Sequence, residues 1–130
     1  MASPEAWIRA SIEAALPGVS VYPVNVPESA PPPYVCYART GTRREVQFDG
    51  VVGLPEGTFE VQIFVDGYSD AKSAADSIRQ ALHNFSGSAN GSTIDYAYLT
   101  NEQDGDPTFL EGRDVPTYPI SHEYSIRWEE

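Results

Sequence analysis

The stretch Thr58-Phe59-Glu60-Val61-Gln62-Ile63-Phe64-Val65-Asp66 constrains the fold more than any other part of the chain. Phe59, Val61, Ile63 and Val65 alternate with Glu60 and Gln62, the two-residue period of a strand with one buried face. Directly after it, Ala71, Ala74, Ala75, Ile78, Ala81, Leu82 and Phe85 recur at helical spacing. The small alanines let that helix lie close against a sheet. One-faced strand followed by one-striped helix predicts two layers sharing a single apolar core.

The remaining segments extend the same plan. Ser3-Pro4-Glu5 has the chemistry of a helix start, with a capping hydroxyl, a proline where no amide is needed and an acid at the positive end of the dipole. Ile8, Ile12 and Leu16 then form one face, Glu5, Arg9 and Glu13 a wetter one, and Pro17-Gly18 ends the helix. Val19-Ser20-Val21-Tyr22 reads as a short strand closed by Pro23, and the proline-rich run from Pro27 to Pro33 as an extended, exposed spacer. Tyr34-Val35-Cys36-Tyr37-Ala38-Arg39-Thr40 is a strand by composition, with Cys36 as a small buried hydrophobe. Ser86 to Ser92 reads as a flexible polar link. Thr93-Ile94-Asp95-Tyr96-Ala97-Tyr98-Leu99 is a strand with Ile94, Tyr96 and Tyr98 on one side. In the last segment Ile120, Tyr124, Ile126 and Trp128 oppose Ser121, Glu123, Ser125 and Arg127. A strand so near the end of the sequence must be paired to stay ordered.

The expected fold is therefore α+β: a two-layer structure with a mainly antiparallel β-sheet of about four to five strands, two helices packed on one face, and a long loop or hairpin excursion at residues 41–57. A chain of 130 residues suits a single domain over 1–130, able to bury roughly two-thirds of its unfolded surface. No internal repeat is visible.

Two excursions interrupt this frame. Three of the eight cationic residues, Arg39, Arg43 and Arg44, stand at the start of the first, followed by Glu45 and by the apolar Val46, Phe48, Val51, Val52 and Leu54. A connection that stays within one domain is ordinarily polar, so these residues are candidates for a contact with another subunit. The competing reading folds them back as a hairpin onto their own core. The second excursion is acidic: Glu102, Asp104, Asp106, Glu111 and Asp114 stand against Arg113 alone. Opposite charge balances on two loops suit head-to-tail docking between copies, which closes into a ring or propagates as a filament.

Charge and motif content exclude several classes. The formal net charge is −11, which opposes tight nucleic-acid or anionic-membrane binding but suits a surface past which DNA slides. No apolar run approaches the ~20 residues of a membrane span. The segment Met1-Ala2-Ser3-Pro4-Glu5 has neither a basic nor an apolar signal region, so a protein folding in a reducing cytosol is expected. The single Cys36 allows no intrachain disulfide and no cysteine-pair zinc site. Glu102, Asp104, Gly105 and Glu111 fit an EF-hand spacing, but Thr100 stands where the first acid should be and Pro107 interrupts the loop. His83 and His122 lack metal-ligand spacing and read as surface histidines; no carboxylate pair among Glu60, Asp66 and Asp95 is singled out. No catalytic residue, metal or cofactor is expected.

Several of these segments together resemble a known family. The N-terminal helix, Val21-Tyr22-Pro23, the run Ala30-Pro31-Pro32-Pro33-Tyr34-Val35-Cys36-Tyr37, the strand Phe59 to Val65 leading into Ser73 to Leu82, and the final Tyr124-Ser125-Ile126-Arg127-Trp128 resemble the tail completion, or tail terminator, proteins of long-tailed bacteriophages. The resemblance implies a non-enzymatic virion protein at the head-proximal end of the tail, assembled in the host bacterial cytoplasm. It implies a ring, usually hexameric, that caps the tail tube, ends its growth and offers a head-to-tail joining surface. Its implied partners are copies of itself, the tail tube protein and a head-tail connector or neck protein, with DNA passing through the lumen unbound. On that pattern residues 41–57 would reach a neighbouring subunit or the tube, and acids would face the lumen. A different neck or head-completion component, a small cytosolic binding module and a small α+β enzyme are the alternatives.

Overall fold

The computed structural model describes residues 4–24, 33–44, 46–47, 50–51, 54–107, 109 and 116–129. Along the chain these form α1 (Pro4–Ala15), β1 (Ser20–Pro23), β2 (Tyr34–Arg43), β3 (Val46–Gln47), β4 (Gly50–Val51), β5 (Glu56–Asp66), α2 (Tyr68–Leu82), β6 (Gly87–Ala89), β7 (Ser92–Asp104) and β8 (Thr117–Glu129). The main sheet has six strands in the order β1-β2-β5-β8-β7-β6, and β3 and β4 pair separately.

The α+β plan with two helices on one apolar face holds, and the strand count and direction are corrected. β1 runs parallel to β2, so the sheet is mixed. The connection from Pro23 to Tyr34 is long enough to bring the chain back to the start of β1, which a tight hairpin cannot do. The additional strand is β6, which lies where a flexible link was expected. It pairs with β7 across a turn at Asn90-Gly91, where φ is 54° and 79°. Two successive positive φ values are the requirement of a tight hairpin turn, and Asn-Gly is the dipeptide that meets it most readily.

The core is one cluster. Trp7, Ile8 and Ile12 of α1 and Ala71, Ala74, Ala75, Ile78 and Leu82 of α2 meet Val35, Tyr37, Phe59, Val61, Ile63, Ile120, Tyr124, Ile126 and Trp128 from the central strands. Phe59, Ile63, Tyr124 and Ile126 are fully shielded, each contributing on the order of 1.5–3 kcal/mol by burial. The alternation read in β5 and β8 sets this inner face. α2 begins one residue after Gly67, whose carbonyl accepts from the Ala71 amide at 3.0 Å; no side chain caps it.

Two bulges re-aim β7. The register slips between Ile94 and Tyr96 and again between Leu99 and Asn101. The first extra residue leaves Ile94, Ala97 and Leu99 on the core side and puts Tyr96 and Tyr98 on the opposite face, where their rings stack with centroids 4.9 Å apart. The expected grouping of Ile94 with both tyrosines is thus broken, because one inserted residue reverses a two-residue period. The strand also runs on to Asp104, so Glu102 and Asp104 belong to its end rather than to a loop.

Neither histidine is a surface residue. His122 is 1% exposed on the inner face of β8. His83 is half-buried, and its Nδ1 accepts the Leu99 amide at 2.9 Å, while the Asn84 amide reaches the Ala97 carbonyl at 2.7 Å. These bonds satisfy backbone groups on the β7 edge, and the one from Leu99 requires a side-chain acceptor, which the His83 imidazole supplies.

Candidate assembly surfaces

A bulge in β2 decides where its arginines go. The register shifts between Arg39 and Gly41, leaving Arg39 on the inner side and Arg43 on the outer. The Arg39 guanidinium lies 4.8 Å from the Trp128 ring centre and 5.4 Å from that of Phe59, donates to Glu5 Oε1 at 2.7 Å and to Thr42 Oγ1 at 3.2 Å. Arg39 is thus engaged within its own subunit.

Arg43 pairs in register with Glu56, and Glu56 with Arg127. Arg43, Leu54, Glu56 and Arg127 line a small cleft. The Tyr96 hydroxyl donates to Glu56 Oε2, and Arg127 Nε is 3.8 Å from Asp95 Oδ2. Burial, then the bond to Glu56, push the Tyr96 phenol above its usual range and keep its hydrogen in place. Arg43 and Arg44 are exposed at the root of the excursion.

The excursion itself is a hairpin rather than a plain loop. Val46 pairs with Val51 and Gln47 with Gly50, and its stem continues the β2–β5 ladder to Arg43 and Glu56. Leu54 is half-buried at its return. Glu45, Phe48 and Val52 lie outside the described residues.

The second bulge in β7 does the opposite work. Glu102 falls opposite His122 and Asp104 opposite Ile120, so both carboxylates face the helix layer. Lys72 of α2 pairs with Asp104 at 2.8 Å and lies 5.6 Å from the Tyr68 ring centre. Hydrogen bonding to Asp104 holds the Lys72 ammonium above its usual range. Glu102 Oε2 stands 3.7 Å from His122 Nε2, whose other nitrogen contacts the Tyr124 hydroxyl at 2.9 Å. Asp106 is exposed just beyond the strand. Glu111 and Asp114 lie outside the described residues.

Both charged regions therefore belong to the same sheet but to opposite ends of it. Arg43, Glu56 and Arg127 form one row; Ile63, Ile120 and Asp104 form the other. Seven residue steps along β5 and β8 separate the rows, roughly 23 Å at the rise of a strand.

Among the described residues His122, Tyr124 and Glu102 come together as titratable groups, and both rings are sealed in the core, His122 at 1% and Tyr124 at 0% exposure. No three potential metal ligands cluster among the described residues, and none of the described helices is long and apolar enough to cross a membrane. Sequence reading missed the tyrosine stack and the buried histidine; the only advance sign was that His122 shares the parity of Ile120 and Tyr124.

Comparison with known proteins adds a family and a fold. The model of the tail completion protein gp17 family matches residues 6–109. Among solved structures, a chain in "Virion of native gene transfer agent (GTA) particle" superposes with a TM-score of 0.67 at 16% identity, over 95% of this chain and 92% of that one. Another superposes with a TM-score of 0.51 at 20% identity, over 92% of both chains. No curated protein matches the sequence.

Proposed function

We propose a specific structural role for this chain, which belongs to the tail completion protein gp17 family: it forms a closed ring, of six subunits on the family pattern, at the head-proximal end of a phage tail tube. The ring stops tube growth and presents the surface to which a neck or connector protein joins. The protein is a component of the virion, and its work is assembly rather than catalysis.

The observation that carries the ring is the placement of the arginine pair Arg43 and Arg44 at the hairpin's root and the acidic end of β7 at opposite ends of one sheet. A molecule with two unlike, complementary surfaces makes heterologous contacts, and repetition of one such contact closes when the rotation between neighbours divides a full turn. In this reading Arg43 and Arg44 steer the hairpin, and the apolar residues among 46–54 are buried in the contact; Arg39 holds the hairpin's root from inside. The charge of −11 leaves a surplus of carboxylates for a lumen that DNA crosses without adhering.

The test is tube growth. Tail tube protein polymerising in vitro should give tubes that stop elongating, with one end decorated, when this protein is added. Tubes that grow undiminished and undecorated would refute the role.

A further inference from the structure

We propose that buried His122 and Glu102 form a proton-operated latch: a proton taken up by His122 draws the Glu102 carboxylate onto the imidazole and cancels its charge at the acidic end of β7. The latch is a property of the single subunit. Its consequence for assembly rests on the ring reading, in which that strand end meets a neighbouring copy.

The geometry sets the resting state. His122 is 1% exposed and Tyr124 0%, and the Tyr124 hydroxyl stands 2.9 Å from His122 Nδ1. Burial keeps the phenol protonated, and a sealed hydroxyl gives its hydrogen to the acceptor within reach. Nδ1 therefore accepts, and the one proton of the neutral ring sits on Nε2. That nitrogen is buried without a hydrogen-bond partner. Glu102 Oε2 lies 3.7 Å from it, on a side chain still 46% exposed; a charge-assisted bond would be shorter by about 1 Å. A buried donor and a carboxylate thus face each other across a gap left open at rest.

A second proton changes the balance, because a buried imidazolium needs a counter-charge. Around the ring, β7 presents Glu102, α2 presents Asp76, Arg79 and Lys72, β8 presents Tyr124, and β5 places Val61 opposite His122. Arg79 and Lys72 oppose the new charge. Asp76 is 3.8 Å from Arg79, and Asp104 is held by Lys72 at 2.8 Å, so Glu102 is the carboxylate placed to answer Nε2. The second bulge in β7 puts it there: the inserted residue brings Glu102 opposite His122, and without it the side chain would fall on the other face. With Asp104 already paired, neutralising Glu102 lowers the charge this strand end offers a neighbour. Association then weakens as His122 takes up its proton.

Magnetic resonance of the full chain carrying isotope-labelled histidine tests the latch, the His122→Gln spectrum telling His122 from His83. At about pH 8, well above the ordinary histidine range, the hydrogen of His122 should sit on Nε2. Glu102→Gln should then lower its titration midpoint by at least about 0.5 pH unit, roughly threefold weaker proton binding. Glu123→Gln, which removes a carboxylate from the outer face of the same sheet, should move it less than half as far. A hydrogen on Nδ1, equal shifts from the two substitutions, or unfolding before His122 titrates would each overturn the latch. In sedimentation velocity the natural sequence should lose at least about threefold in association across the His122 midpoint, beyond any loss in Glu102→Gln. Equal losses would overturn the control of assembly. A natural sequence that never associates would remove the ring reading, and the titration would still decide the latch.

Discussion

Arg39 Nη2 lies 2.7 Å from Glu5 Oε1, tying the far end of β2 to the first turn of α1. The guanidinium also covers Trp128, so three elements converge on one side chain. Its role is structural within the subunit. Arg39→Met, which keeps the stem but loses the charge, should lower stability by about 1–2 kcal/mol in urea unfolding, and Arg39→Lys should recover only part of it because an ammonium cannot stack as the planar group does. Unchanged stability with lost association would instead place Arg39 in the subunit contact.

Gly57 gives a sharper packing test. A Cβ there would stand 2.8 Å from Cε1 of Phe59 and 3.0 Å from Cζ3 of Trp128, both rings fully buried. Gly57→Ala should therefore cost about 1–3 kcal/mol by overpacking. Gly41 sits two places beyond Arg39 with nothing within 4 Å of such an atom, and Gly41→Ala should change stability by less than about 0.5 kcal/mol. Thermal unfolding of the pair distinguishes a filled core from an open strand end.

His122 predicts a pH dependence. Burial pushes its imidazole below the usual value; Glu102 and Asp76 act to raise it, and Arg79 and Lys72 to lower it further. The folded state then binds the proton less well than the unfolded chain, so stability rises with pH across the window between the two values. The protein should be at full strength above about pH 6.5 and lose stability as pH falls below it. Burial likewise raises the Tyr124 phenol far above its ordinary range, so its hydrogen is available to His122 Nδ1 throughout. His122→Gln should flatten the profile between about pH 6.5 and 5 in denaturant titrations. An unchanged slope would show that other groups govern the acid limb.

Excision of residues 46–53, joined by two glycines, should leave folding intact, since the paired stem ends at Arg43 and Glu56. Association should be lost. Reversal of charge at Arg43 and Arg44 should weaken association more at low salt than at high, because exposed charges are screened beyond roughly 10 Å at 0.1 M salt. An excised chain that unfolds would assign those apolar residues to its own core.

Much of the fold was legible because β5, β8 and α2 bury only one face, and their periods report it directly. The inner residues Phe59, Val61, Ile63, Tyr124, Ile126 and Trp128 follow from alternation alone. The parts that escaped share one cause. A single inserted residue at Asp95, and another at Thr100, shifts every later side chain in β7 to the other face, and nothing in the residue types at those positions announces a bulge. The same is true of Thr40, which separates the inward Arg39 from the outward Arg43. Charge could be located along the sequence, but the end and face it occupies depend on these insertions. Asn90-Gly91 is a different case: the reading of residues 86–92 as a flexible link passed over a dipeptide that favours the two positive φ values, 54° and 79°, found there.

Negative-stain imaging of the purified protein, alone and incubated with tail tubes, tests the central claim most directly. Closed rings, free or seated on one end of each tube, are the predicted result. Uniform single particles in both samples, with bare tube ends, would contradict it.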